Sequence, residues 1–267
     1  MLQIFGSDAF SPKEIALRIE EAGVAKVRLP LLSMATLGVL AGGFIGFGAL
    51  YFTLVTADNG LGLAASRVLG GAVFSLGLIL VVIAGAELFT GNNLAVMAWA
   101  SGRISPYELL RNWGVVYGAN AVGAVGLAFL VYLSGHPESN GGAVAAQAVK
   151  IASAKAALPF MEAFFRGILC NILVCLAIWI AMAGRTVSDK ILAILLPISA
   201  FVAAGFEHVV ANFYFLALGL LLKGPAAVPL GGVASNLVAS TLGNVLGGAG
   251  MVALVYWVIY RRGENKR

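Results

Sequence analysis

Charge is scarce in this chain. Only 11% of its 267 residues are Asp, Glu, Lys or Arg, while 60% are hydrophobic, against about 25% charged in an ordinary soluble domain. A globule of this length needs a polar coat that so few charges do not supply, which excludes a water-soluble fold and makes lipid the expected solvent. Cysteine is scarcer still. Cys170 and Cys175 are the only two and share one apolar segment, which suits neither a disulfide framework nor a metal-site spacing, so they read as buried thiols. Nucleotide, zinc and acyl-transfer motifs are missing: there is no P-loop, no HExxH and no GxSxG. The glycine-rich stretch Gly42-Gly43-Phe44-Ile45-Gly46-Phe47-Gly48 lies inside an apolar run, where helix packing explains it better than a phosphate loop. No enzyme, cofactor or metal site is expected. The first residues, MLQIFGSDAFSPKEIALRIEEAGVAKVR, lack a continuous apolar core and a small-residue cleavage site, so they are not read as a signal peptide.

What the chain has is long apolar runs. A helix needs about 20 mostly apolar residues to cross the hydrocarbon, and that length is met six times, at about 31–53, 67–100, 109–134, 159–183, 190–222 and 233–260. The second run contains Glu87, and the fifth contains Glu207 and His208. The fold expected is an all-α integral membrane protein with residues 1–28 as a cytoplasmic segment, 29–262 as a six-helix domain and 263–267 as a tail. Lys13, Arg18, Lys26, Arg28, Arg103, Arg111, Arg185, Lys190, Arg261, Arg262, Lys266 and Arg267 fall on the terminal side, against Arg67, Lys150, Lys155 and Lys223 opposite, with Arg166 near the start of a span. That bias puts both termini in the cytoplasm. It also accounts for the net charge of +5 through lipid headgroups, with no call for nucleic acid. Ahead of the spans, Ser11-Pro12-Lys13-Glu14 is a capping box with proline at the first helical position. The short helix it predicts carries Ile15 and Ile19 on one face, and is either a solvated cap or a gating element.

The halves of the chain repeat. Ala84-Gly85-Ala86-Glu87-Leu88-Phe89-Thr90-Gly91-Asn92 matches Ala204-Gly205-Phe206-Glu207-His208-Val209-Val210-Ala211-Asn212 at an offset of 120. Further on, Asn120, Gly123, Gly126, Leu130, Val131 and Tyr132 match Asn244, Gly247, Gly250, Leu254, Val255 and Tyr256 at an offset of 124. The matched segments are spans two and five, then three and six. Three spans per repeat, about 29–135 and 156–262, make the second repeat run in the opposite sense. In inverted repeats of this kind interrupted helices meet near the midplane and offer free backbone groups to a solute. A transport pathway is the expected function, with a structural kink as the weaker reading of each site.

Ionisable groups within a membrane mark function by default. Glu87 and Glu207, with Gly85, Gly205, Asn92 and Asn212 beside them, are expected to anchor the backbone groups freed at the two interruptions. His208 has no counterpart, since the matching residue is Leu88. A histidine holds or releases a proton near neutral pH, so His208 is expected to give one to a weak-acid anion; the alternative is a buried histidine satisfied by a carbonyl. Thr90 and Asn171 offer a hydroxyl and an amide to a solute or to a neighbouring helix. Lys155, ahead of the fourth span, either gathers anions or faces solvent.

The stretches around Glu87 and Glu207, together with Cys170-Asn171-Ile172-Leu173-Val174-Cys175-Leu176-Ala177-Ile178-Trp179, closely resemble the formate/nitrite transporter family over about residues 12–262. Asn-Pro-Ala boxes are absent, which sets the chain apart from an aquaporin proper. The resemblance implies a bacterial inner-membrane homopentamer in the lipid bilayer, each protomer an aquaporin-like six-helix pore with helices two and five broken. It implies that Thr90 lies in the first break and His208 at the pore centre, within a network of Lys155, Asn171 and Glu207. Phe74, Leu78 and Leu88 correspond to one apolar constriction, and Val174 and Phe201 to the other. Members of the family carry formate, nitrite, hydrosulfide or lactate. Ser101-Gly102-Arg103-Ile104-Ser105, Asn112-Trp113, the run from Leu192 to Phe206 and the stretch from Thr90 to Trp99 look most like formate channels. Formate is the expected substrate and nitrite or hydrosulfide the alternative; a non-transporting membrane subunit is the reading from a different class.

Overall fold

The computed structural model describes residues 9–57 and 60–263. The first eight residues and all of the expected tail except Gly263 lie outside the described residues. Within them the chain is helical: α1 (Pro12–Val27), α2 (Leu31–Thr56), α3 (Leu63–Phe74), α4 (Leu76–Leu80), α5 (Phe89–Asn92), α6 (Val96–Ala100), α7 (Pro106–Leu133), α8 (Ala143–Ala156), α9 (Phe160–Ala181), α10 (Val187–Ala204), α11 (Val209–Ala227), α12 (Leu230–Val245) and α13 (Val255–Tyr260). A π-helical turn, Val81–Gly85, extends α4, and a longer one, Leu246–Leu254, joins α12 to α13.

Local chemistry starts the helices where it should. The capping box of α1 is formed, with the Ser11 hydroxyl accepting from the Glu14 N–H and the Glu14 carboxylate accepting from the Ser11 N–H at 2.8 Å. Ile15 and Ile19 face inward and pack with Leu94, Met97, Trp179 and Val252. The expected cap helix is thus clasped to the protein. Ser105-Pro106 with Glu108 repeats the same box at α7, which moves the start of the third span from 109 to 106.

Among the described residues, seven helices are long and apolar enough to cross a membrane, where six were expected. The extra one comes from the stretch 190–222, which the structure divides into α10 and α11, each about a membrane thickness by length. Two glycines explain where helix stops. Gly85 (φ +85°) and Gly205 (φ +73°) adopt left-handed backbone, which residues with a Cβ resist and which ends a helix. Ala86 to Leu88 then run non-helically before α5, and Phe206 to His208 before α11.

Small residues set the helix spacing. A Cβ on Gly123 would collide with the Val39 carbonyl, and one on Gly247 with the Ile168 carbonyl. Backbones therefore touch where α7 crosses α2 and where the last π-helical stretch crosses α9, at positions matched by the 124-residue offset.

Candidate functional site: two gaps and a buried imidazole

The non-helical residues at each gap carry backbone groups without helical partners, and at this depth each must be satisfied by protein. The glutamates were expected to do this with their side chains. Two asparagines do it instead. Asn120 Nδ2 donates to the Gly38 and Glu87 carbonyls at 2.7 and 2.9 Å while its Oδ1 accepts the Phe89 N–H at 2.9 Å. Asn244 does the same with Gly167, Glu207 and Val209 at 2.8, 2.8 and 3.0 Å. The gap backbone is completed by Glu87 N–H to the Leu37 carbonyl and Glu207 N–H to that of Arg166.

The carboxylates face side chains. Lys26 Nζ lies 2.6 Å from Glu87 Oε1, and Asn92 Nδ2 donates to Glu87 Oε2 at 2.7 Å. Asn92 also donates to Asn112, which returns to the Lys26 carbonyl. Around Glu207 the set recurs: Lys155 at 2.9 Å, Asn212 at 2.8 Å and Asn236 at 3.0 Å, with Asn236 also donating to the Lys155 carbonyl. An amide carries no charge to compete with the lysine, so each carboxylate keeps one counterion and its remaining lone pairs are filled by neutral donors.

His208 caps α11. Its Nδ1 accepts the Ala211 N–H at 3.1 Å, and its Nε2 lies 2.9 Å from the Thr90 hydroxyl. An Nδ1 that accepts carries no proton, so the neutral ring holds its hydrogen on Nε2 and donates it to Thr90. That contact joins the two gaps, because Thr90 follows the first and His208 ends the second. Asn171 is drawn to the same place, donating to the Thr90, Asn93 and Asn244 oxygens at 3.2, 3.3 and 2.7 Å. Its amide nitrogen is occupied by protein, and its Oδ1 is buried without a protein partner.

Two cavities flank this centre. One, of about 600 Å³, is lined by Phe74, Lys155, Phe201, Glu207, His208 and Asn212 among others. The second, of about 630 Å³, is lined by Lys26, Glu87, Leu88, Asn92 and Ile178 with their neighbours. Phe74 belongs with Phe201, not with Leu88: the two rings meet edge to face at 5.7 Å, and Phe201 stacks on His208 at 5.9 Å. That regroups the apolar residues, with Phe74 and Phe201 on the His208 side and Leu88 lining the other cavity. Leu78 and Val174 are buried in the same apolar cluster.

Lys26, Asn112, Asn120, Asn236 and Asn244 were missed as site residues. Asn120 and Asn244 stand in the repeat itself, and Asn112 and Asn236 share its 124-residue offset; polar amides at matched positions of apolar spans were the available signal.

Known proteins resemble this chain over nearly its whole length. The family model described as Formate/nitrite transporter matches residues 13–258. The formate channel FocA of Escherichia coli (strain K12) is 37% identical over 276 residues, covering 97% of this chain and 96% of that protein. A probable formate transporter of Methanothermobacter thermautotrophicus is 39% identical, with 96% and 98% covered. Among solved structures, a pentameric formate channel with formate bound superposes with a TM-score of 0.79 at 37% identity, covering 86% of this chain and 97% of that one. The chain belongs to the formate/nitrite transporter family.

Proposed function

We propose that this protein is a pathway for small monovalent weak-acid anions, formate first, across a bacterial cytoplasmic membrane, working as a homopentamer with both termini in the cytoplasm. Each protomer is read as six spans in a 3+3 inverted repeat, with α3–α6 as one broken helix and α10–α11 as the other. Lys26 and Lys155, at matching places in the two networks, extend the repeat to α1 and α8. The observation that carries the reading is the Thr90–His208 contact of 2.9 Å, buried between two cavities and built from both gaps. Relatives named as formate channels favour formate over nitrite or hydrosulfide.

A bare carboxylate moving past Phe74, Phe201, Leu78, Leu88 and Val174 loses its hydration, and an isolated ion in such surroundings costs far more than a neutral acid. In this reading His208 supplies the proton. The neutral ring has only its Nε2 hydrogen, so a donor cycle passes through an imidazolium: Nδ1 leaves Ala211 and takes a proton from water, Nε2–H goes to the formate oxygen, and formic acid and a neutral ring result. Tautomer exchange through water, with Nε2 taking up a proton as Nδ1 gives one up, then restores the starting contact. Thr90 orients the acid, while Asn171 holds Thr90 through its carbonyl.

The test is flux into proteoliposomes of purified protein, comparing formate, nitrite, hydrosulfide and lactate at two pH values. Formate is expected to cross fastest, and faster at the lower pH. Faster nitrite would reassign the substrate, and no flux for any of the four would leave a structural membrane subunit.

A further inference from the structure

Topology makes cations rare on one side of this chain, where the charge bias leaves Arg67, Lys150, Lys155, Arg166 and Lys223. Four of these five line the cavity that contains His208, and among the described residues Glu207 is the one carboxylate lining it. The other cavity has Lys26 and Lys190 against Glu87. Not all of these charges are available to a distant anion. Lys155 and Lys26 are engaged at 2.9 and 2.6 Å by their glutamates, and Arg166 bonds Glu162 at 3.1 Å. A pair in contact presents a dipole, whose field decays faster than that of a free charge. Arg67 and Lys150 have no carboxylate partner among the described residues, and both are exposed.

Arg67 has a second feature. Its Nη1 donates to the Ala203 carbonyl at 3.1 Å, in the last turn of α10. Free carbonyls at a helix C-terminus carry partial negative charge and repel anions. The guanidinium covers that end and has further N–H donors, since it carries five. We propose that Arg67, assisted by Lys150, collects small monovalent anions at this mouth, while Lys155 holds Glu207 and contributes little to the gathering. The inference rests on the transport reading above. In it, the anion meets Arg67 at the end of α10 and passes on to Phe201, two residues before Ala203, and to His208, across the gap.

The experiment is formate uptake into proteoliposomes at subsaturating concentration, over a series of ionic strengths. The Debye length falls from about 30 Å at 0.01 M to about 3 Å at 1 M, so gathering by free charges fades across that range. Arg67→Gln is expected to lower uptake about threefold at low salt and to match wild type at high salt. Lys150→Gln, which breaks no ion pair or hydrogen bond among the described residues, is expected to give about a twofold deficit with the same salt dependence. Arg67→Lys should keep most of the wild-type salt slope, and Lys155→Gln should keep it whatever its absolute rate. An Arg67→Gln deficit of equal size at every salt concentration overturns the proposal, because it would reflect the helix cap alone. A slope lost in Lys155→Gln but kept in Arg67→Gln overturns it as well. Wild type without formate flux is a different result: it sinks the transport reading and this inference together.

Discussion

The Asn244 carboxamide repeats, bond for bond, what the Asn120 carboxamide does 124 residues earlier. Each spans three elements: it donates to a carbonyl of an adjacent long helix, donates to the carbonyl of the gap glutamate and accepts the first N–H of the helix beyond. A helix that stops in a buried place leaves backbone groups without partners, and these two side chains supply replacements at both gaps. The glycine ends the helix; the asparagine makes its ending stable.

Asn120→Leu and Asn244→Leu should therefore destabilise the protein to a similar degree, each by about 1–3 kcal/mol per buried group left unpaired. Thermal unfolding in detergent measures it. Since Asn244 fixes Val209, next to His208, and Asn120 fixes Phe89, next to Thr90, both variants are expected to reduce formate flux in the surviving folded fraction. A wild-type melting temperature for either variant would remove the asparagine from this role.

The comparison explains what was legible in the sequence and what was not. Apolar runs, the capping box at Ser11 and the A-G-x-E-x4-N repeat are local patterns, and each corresponds to local structure: spans, α1 and the two gaps. The charged partners of Glu87 and Glu207 are not local. Lys26 is 61 residues from Glu87 and Lys155 is 52 from Glu207, and nothing in the spacing says that a lysine on α8 turns inward. From spacing alone Lys155 reads either as an anion-gathering charge or as a solvated one, and only the family resemblance places it with Glu207; its side chain is 14% exposed. The same limit separated Phe74 from Phe201, whose contact depends on α3 and α10 lying side by side.

Glu207 is contacted by Lys155, Asn212 and Asn236, whereas the Lys155 ammonium is held by one carboxylate and otherwise lines the cavity. Glu207→Ala leaves three donors without their acceptor, while Lys155→Ala leaves a carboxylate still held by two amides. Breaking a buried pair from one side costs about 3–5 kcal/mol. The glutamate variant should sit at or above that range and the lysine variant below it, with Glu207→Gln in between. Equal melting temperatures for Glu207→Ala and Lys155→Ala would show that the carboxylate is not the hub.

Outside the spans, Glu20 ties α1 to the far end of the chain. Burial raises its carboxyl, but hydrogen bonds from Arg261, Ser101 and Arg103 together outweigh this and hold it below the usual carboxylate range. A carboxyl lowered in the folded state stabilises above its unfolded value, and that stability is lost as pH falls through the folded value. Protection from hydrogen exchange over residues 12–27, taken relative to the intrinsic amide rate at each pH, should thus be flat between about pH 7 and 5 and fall only below about pH 4. Glu20→Gln should exchange faster throughout, with no step. A wild-type step near pH 6 would mean that some other group releases α1.

The sharpest test of the proton-donor reading is His208→Asn. Histidine does two jobs here: it caps α11 by accepting the Ala211 N–H, and it presents Nε2–H to Thr90. Asparagine is among the best N-cap residues, so its side-chain oxygen can keep the first job and hold α11 in place. It cannot do the second as an acid, because an amide does not titrate near neutral pH. The variant should fold with a melting temperature close to wild type, yet carry formate at least about tenfold more slowly, since the anion must now cross the apolar rings charged. The remaining flux should lose its dependence on pH over the range in which wild-type flux varies. Anions of strong acids, which no imidazolium can neutralise, should be affected little. If the folded variant carries formate at the wild-type rate with the wild-type pH profile, protonation takes place elsewhere and His208 serves only to cap α11 and to hold Thr90.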